Sequence, residues 1–353
     1  MKRREFLECG AAGALLLTGC RRAPPPSREA VLTALVHEVV VPDTQSVVKT
    51  SQELAAAVTA LASTPSLATL RGARAAFVPS LLAWKQAQCF RNGPMVETNA
   101  FVRTLFWPPR APAIDAVLGG SASIDAAFVA NLGVDARGVF ALEYLLYPEQ
   151  RDEGSALELF TGDAGKRRNE LCRGLAANIA KYAVDAGTVL ADGASYAARF
   201  ARGAQISLSI LVNQMIGSIE SLAAHRLEAV LDRQKRGTFA AKDVEGSPSG
   251  TSHRIALAVL TGNDRLFRGG KSGGLLELTR ATAPAIAERV SERYAEALGA
   301  VSALGAPLER IVTTNQTALT SAANATKALE LALKVDLASA LGVTITFQAG
   351  DGD

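Results

Sequence analysis

Apolar side chains return every three or four residues through most of this chain, and that spacing constrains its fold more than any other feature. Leu32, Leu35, Val36 and Val39 make the first such run, and Leu54, Val58 and Leu61 the second. Leu70, Ala73, Phe77, Leu81 and Trp84 follow, and Leu208, Leu211, Met215, Ile219 and Leu222 repeat the pattern later. Side chains spaced this way share one face of an α-helix, so each run predicts an amphipathic helix with a buried stripe. Helical composition also marks 166–186, 195–204, 253–260, 274–304 and 307–340. Aromatic residues are only 5%, while Ala and Leu dominate, which favours helix on propensity as well. The fold class expected is all-α.

Proline and glycine punctuate the helices. Pro42 is expected to bend or end the first one, Thr64-Pro65-Ser66 to make a turn, and Pro79 to kink the helix that carries Trp84. Residues 235–252 are polar and glycine-containing and read as a hydrophilic connector. The one alternating stretch, Leu341 to Phe347, predicts a short strand near 343–347. At 353 residues and 48% apolar the chain has material for two domains, at about 150 residues each. A formal charge of +3 is too near zero at this length to argue for a nucleic-acid partner.

The amino terminus reads as an address. Lys2-Arg3-Arg4 is a basic opening, and Cys9 to Leu17 a mostly apolar run too short to span a bilayer, which needs about 20 residues. Leu17-Thr18-Gly19-Cys20 resembles a bacterial lipobox, and Arg3-Arg4-Glu5-Phe6-Leu7 a twin-arginine export signal. The expected division is a signal peptide over 1–19, then a lipidated Cys20 and a Pro24-Pro25-Pro26 tether over 20–28. Membrane attachment is then through lipid on Cys20. Arg21 after the Cys, in place of Asp, favours the outer membrane, with the chain facing the periplasm. No segment after the leader is expected to cross a membrane.

The most informative stretch is Gly138-Val139-Phe140-Ala141-Leu142-Glu143-Tyr144-Leu145-Leu146. It reads as a helix with Leu142, Leu145 and Leu146 on one stripe, and Phe140 and Glu143, three apart, are neighbours on it. Burying a carboxylate without a partner costs several kcal/mol or more, so Glu143 has a specific partner or faces water in a cleft. A structural cap or ion pair is the alternative to a ligand-binding role. The stretch resembles the signature of the imelysin-like family, Gly-x-His-x-x-Glu followed by an aromatic residue and two leucines, with Phe140 where the family has His. The order Trp84, Phe90-x-x-Gly93-Pro94, Phe106-Trp107-Pro108 and Ile114-Asp115 is similar to that family as well. So is the ending Leu341-Gly342-Val343 with Asp351-Gly352-Asp353. The resemblance, which extends to iron-regulated protein A-like chains, runs from about Glu29 to Asp353.

That resemblance implies two helical bundles, four-helix-bundle-like duplicated halves over 29–190 and 191–353, with the signature at their junction. It also implies metal-dependent peptidase activity, or a binding role in iron or other metal uptake, with a protein partner in that system. Phe140 cannot coordinate a metal, and a metallopeptidase needs about three protein ligands with an open water position. The function expected is therefore an extracytoplasmic binding lipoprotein without peptidase activity, with no catalytic residue assigned. A scaffold that binds a protein or glycan, with no metal, is the alternative. Gly138, Phe140, Glu143 and Trp107 are the candidate ligand-site residues. Glu143 is the one candidate ligand for a divalent metal or iron, at a site weakened by Phe140, and Phe140→His is expected to restore affinity.

Other constellations carry less. His37, His225 and His253 have no metal-motif spacing and read as helix residues, with a tertiary site joining one of them to Glu143 left open. Cys89 and Cys172 read as buried thiols, with a disulfide as the alternative. Gly269-Gly270-Lys271-Ser272-Gly273-Gly274 lacks a preceding strand, and Arg265 stands where a phosphate loop has its first Gly, so it reads as a flexible connector. Trp84 reads as core, Trp107 as a cavity wall or plug. Two aspartates at the carboxyl end are too few for a calcium loop.

Overall fold

The computed structural model describes residues 26–149, 151–190 and 193–346. The leader, Cys20, the twin-arginine stretch and Asp351-Gly352-Asp353 lie outside the described residues. Among those described, the regular structure is helical and no strand forms.

Helix α1 (Arg28–Leu35) starts on Ser27, whose hydroxyl accepts from the Ala30 N–H. It passes through a π turn at Val36–Val40 into α2 (Val41–Ser63). Pro42 therefore does not end the helical run, which leaves the first of the two expected outcomes, a bend, as the open one. The Val41 N–H reaches back five residues to the Val36 carbonyl, and this widened turn places Pro42 in the opening turn of α2, where its missing N–H costs little. Helix α3 (Leu67–Ala87) opens on a Ser66–Thr69 capping box and keeps Pro79 in its interior. The later long helices are α4 (Gly138–Leu146), α5 (Gly162–Val189), α6 (Gln205–Glu220), α7 (Ser252–Arg268), α8 (Pro284–Ser302) and α9 (Gln316–Leu331).

Two hydrophobic cores result. The predicted stripes of α2 and α3 are fully buried in the first, with α4 and α5 packed on them. The stripe of α6 is buried in the second, with α7, α8 and α9. Chain order and core membership do not coincide everywhere. Val31, Leu32 and Leu35 of α1 belong to the second core, as do Cys89 and Phe90 just past α3, while Ile255 of α7 belongs to the first. The halves are joined where α3 crosses α7. There a Cβ at Gly262 would lie 2.3 Å from the Gln86 carbonyl oxygen, so only glycine permits the approach.

Three expectations change. Residues 343–346 form no strand, because their backbone pairs with a side chain instead: the Asn213 amide donates to the Thr344 carbonyl and accepts from the Thr346 N–H at 3.0 and 2.8 Å. Phe347 lies outside the described residues. The glycine-rich 269–274 segment is a pinned turn, since the Ser272 N–H donates to the Glu38 carboxylate at 2.9 Å, with a second bond from its hydroxyl. One helical run, Gln205–Lys235, is after all long and apolar enough to cross a membrane, yet its stripe is committed to the second core. Cys89 and Cys172 are buried free thiols in different cores, so no disulfide joins them, and burial pushes both up to about 12.

Candidate functional site

Helix α4 is held at both ends by backbone contacts that fix its side chains. Its first residue, Gly138, takes φ +80° against the Thr104 carbonyl, where a Cβ would come within 2.4 Å. At its other end Arg168 donates to the Leu145 carbonyl and Arg74 to the Leu146 carbonyl, at 2.8 and 2.9 Å, satisfying acceptors that a helix terminus leaves open. Between these clamps Phe140 is fully buried and Glu143 is 2% exposed.

Glu143 has a specific partner. Its carboxylate accepts from the Ser249 N–H at 3.2 Å and from the Ser249 hydroxyl. Ser249 lies in the stretch read as a hydrophilic connector, which folds into consecutive turns closed by the Thr251 N–H to the Gly246 carbonyl at 2.8 Å. Burial is the main reason the Glu143 carboxyl is pushed up to about 7. The Ser249 bonds oppose that shift, and the charges of Glu245 and Glu309 add to it.

The same connector delivers Glu245, 5% exposed, to a position between the Lys85 ammonium and the Arg226 guanidinium. Burial pushes the Glu245 carboxyl up, but Arg226 and Lys85 together outweigh it and hold it well below the usual carboxylate range. Lys85 is itself 1% exposed and sits over the Phe140 ring, 5.0 Å from its centroid. Burial draws Lys85 down to about 8, partly offset by Glu245. Arg226 arrives on a π segment, Ser221–Glu228, that continues α6.

Lys85, Glu245, Arg226 and Ser249 are the residues that sequence reasoning missed. For Lys85 a signal existed: it stands four residues after Leu81 and eight after Phe77, on the buried face of α3. Glu245 and Ser249 sit in a segment with no periodicity to read. Trp107 is half-buried and lines a cleft of about 360 Å³ together with Lys85 and Arg226, a cleft that Glu143 does not reach. Lys85 is thus the link between Phe140 and the Trp107 cleft.

A divalent metal does not fit these residues. Phe140 offers no donor atom, and a cation already covers its ring. Glu143 is engaged by Ser249 and Glu245 by two cations. Among the described residues no group of three His, Cys, Asp or Glu stands close enough to hold an ion, and neither His37, His225 nor His253 joins Glu143 in one.

The imelysin family model matches residues 40–335. The chain belongs to the imelysin family. No curated protein matches it. Among solved structures, this imelysin-family chain is similar to one from Parabacteroides distasonis described as an iron-regulated protein A precursor. The TM-score is 0.76 at 17% identity, over 90% of this chain and 97% of that one. It is similar also to an imelysin-like protein from Psychrobacter arcticus, at TM-score 0.71 and 16% identity, over 91% and 97%. At these identities the likeness is one of fold, and it agrees with the all-helical reading.

Proposed function

We propose that this imelysin-family chain is a cell-envelope lipoprotein, facing the periplasm from the outer membrane, that serves as a binding component of an iron- or metal-uptake system. It captures a carrier or a partner rather than a bare metal ion, and it has no peptidase activity. Attachment through Cys20 rests on the lipobox and the short apolar leader. The link to iron rests on the fold shared with a chain described as an iron-regulated protein A precursor.

One observation carries the rest of the reading. Where the signature has a histidine this chain has Phe140, and its own Lys85 ammonium covers that ring while Glu245 holds the ammonium in place. A zinc-type catalytic centre needs about three protein ligands and an open position for water. Titration calorimetry with zinc, copper and ferrous ions on the native chain and on Glu143→Ala tests it. No tight binding by the native chain is the expected result. Tight binding that Glu143→Ala leaves unchanged would place a metal site elsewhere and overturn the reading.

A further inference from the structure

The cleft beside Trp107 brings cationic, polar and apolar side chains together in one lining. Its floor is cationic, with Lys85 and Arg226, the exposed Arg91 adds a third positive charge beside them, and no carboxylate lines it. Glu245, behind the floor, answers Lys85 and Arg226, which leaves two positive charges uncompensated. Arg91 has no carboxylate within ion-pair distance among the described residues. Desolvation lowers its pKa first and the neighbouring Arg226 charge lowers it further, so the two guanidinium groups already feel one another. Two like charges held together in one cleft are an anion site waiting for its counter-charge.

A second observation points the same way. Gln88 is only 7% exposed and lines this cleft, yet its side-chain amide makes no hydrogen bond among the described residues. The amide is open to the cleft and offers both a donor and an acceptor to whatever enters it. A ligand atom is the partner that the cleft leaves room for.

The walls are of the opposite character. Trp107 and Phe106 stand on one side, with Phe106 38% exposed, and Val96 and Val102 are more than half exposed on the rim. Asn99, also in the lining, holds a left-handed backbone at φ 52°. Residues other than glycine in this region are uncommon, and they gather at binding sites. The volume of about 360 Å³ falls within the range of small-molecule sites, which are mostly apolar with a few placed polar groups.

We infer that this cleft binds a small aromatic carboxylate, its anionic end between Arg91 and Arg226, its ring against Trp107 and Phe106, and its remaining polar edge on Gln88. Arg226 is held by Glu245 through its Nε and by Ser221 through its Nη1, so the two-point contact with a carboxylate falls to the Arg91 fork, with Arg226 adding charge, and aromatic walls suit a flat apolar body. Lys85 then has two roles that meet at one atom: it covers Phe140 from one side and helps set the cleft's charge from the other. The inference rests on the chain being a binding protein, and it fails separately from that reading, since metal titration probes Glu143 and not this cleft.

The test uses 2-naphthoate, with neutral 2-naphthamide and cationic 2-naphthylmethylammonium as controls. Binding is followed by calorimetry and by quenching of tryptophan fluorescence on the purified full chain. The chain has two tryptophans, and Trp84 is fully buried in the first core, so quenching reports Trp107. Naphthoate is expected to bind at least tenfold more tightly than the amide, and the ammonium not at all. Arg91→Gln is expected to weaken naphthoate at least tenfold, with Arg91→Lys recovering part of that loss. Trp107→Phe should abolish the quenching while heat is still released. Arg91 is exposed and Trp107 half-buried, and an unchanged melting temperature verifies that all three variants fold. Equal affinity for naphthoate and its amide, or an Arg91→Gln variant within twofold of native, overturns the proposal.

Discussion

At the scale of single residues, Phe140 and Lys85 form one unit. Phe140→His supplies a nitrogen three residues before Glu143, the spacing that suits a shared metal on one helix. The ammonium of Lys85, 5.0 Å from the ring centroid, remains beside it. A divalent ion brought to that distance meets a repulsion on the order of 5 kcal/mol at an effective dielectric of about 20. The single substitution is therefore expected to gain no zinc affinity, in contrast to the reading from sequence alone. Phe140→His with Lys85→Ala removes the charge, frees one oxygen of Glu245, and is expected to gain at least tenfold, a gain that Glu143→Ala cancels. Calorimetry on the variants decides, and full restoration by Phe140→His alone would sink the idea. Glu143 makes a separate prediction. Its folded pKa is about 7 against an ordinary 4.5, so the folded chain holds the extra proton. Stability from this group is full below about pH 4.5 and is lost as pH rises through about 7, by up to about 3 kcal/mol. Glu143→Gln keeps an acceptor for Ser249 and should remove that decline, read as the melting temperature across pH 4.5 to 8.

At the scale of elements, the decisive piece is the turn segment that bears Glu245 and Ser249. Replacing Glu245 by Ala leaves Lys85 buried without its carboxylate, and breaking a buried pair from one side costs about 3–5 kcal/mol. Lys85→Met with Glu245→Leu removes the buried pair and fills the space with apolar atoms, leaving Arg226 at 22% side-chain exposure to turn to water, and it is expected to recover most of that loss. Denaturant melts of the two variants give the comparison; equal instability would mean the pair is needed for shape rather than charge. These residues also mark the limit of what the sequence disclosed. The stripes on α2, α3 and α6 were legible because helical periodicity writes a buried face directly into spacing. Glu143 stood out because a carboxylate in an apolar run demands a partner. The partner itself did not stand out, since Ser249 lies 106 residues away in a segment whose turns follow no period. The π turn before Pro42 and the Asn213 bracket on 344–346 were hidden for a related reason: each depends on which backbone groups find one another in three dimensions. Phe140 stood out from its place in the signature, whereas the lysine above it could be found only through tertiary packing.

At the scale of the whole molecule, the question is how two cores behave as one body. Three kinds of contact cross between them. Ile255 of α7 is buried among first-core residues, and Cys89 and Phe90 are buried among those of the second. The Cys89 thiol donates to the Val259 carbonyl at 3.2 Å. Lys85 of α3 is paired with Glu245 from the segment that leads into α7. All of them depend on α3 and α7 lying close, and at Gly262 the two backbones come close enough that a Cβ would stand 2.3 Å from the Gln86 oxygen. The nearest atoms are the Gln86 carbonyl oxygen and carbon, backbone that no side-chain rotation can move aside, so Gly262→Ala must part the helices. Overpacking of this kind costs about 1–3 kcal/mol. The loss falls on the contacts between the cores and leaves each stripe intact. Gly262→Ala is accordingly expected to keep the helical circular-dichroism spectrum and to turn one calorimetric transition into two. The lower of these should fall by several degrees, at about 2–4 °C per kcal/mol for units of 150–250 residues. Gly299→Ala, on α8 with no atom within 4 Å of the added Cβ, is the matched control and should melt as native or slightly above. A single transition in Gly262→Ala at the native temperature would mean that the crossing of α3 and α7 does not couple the two cores.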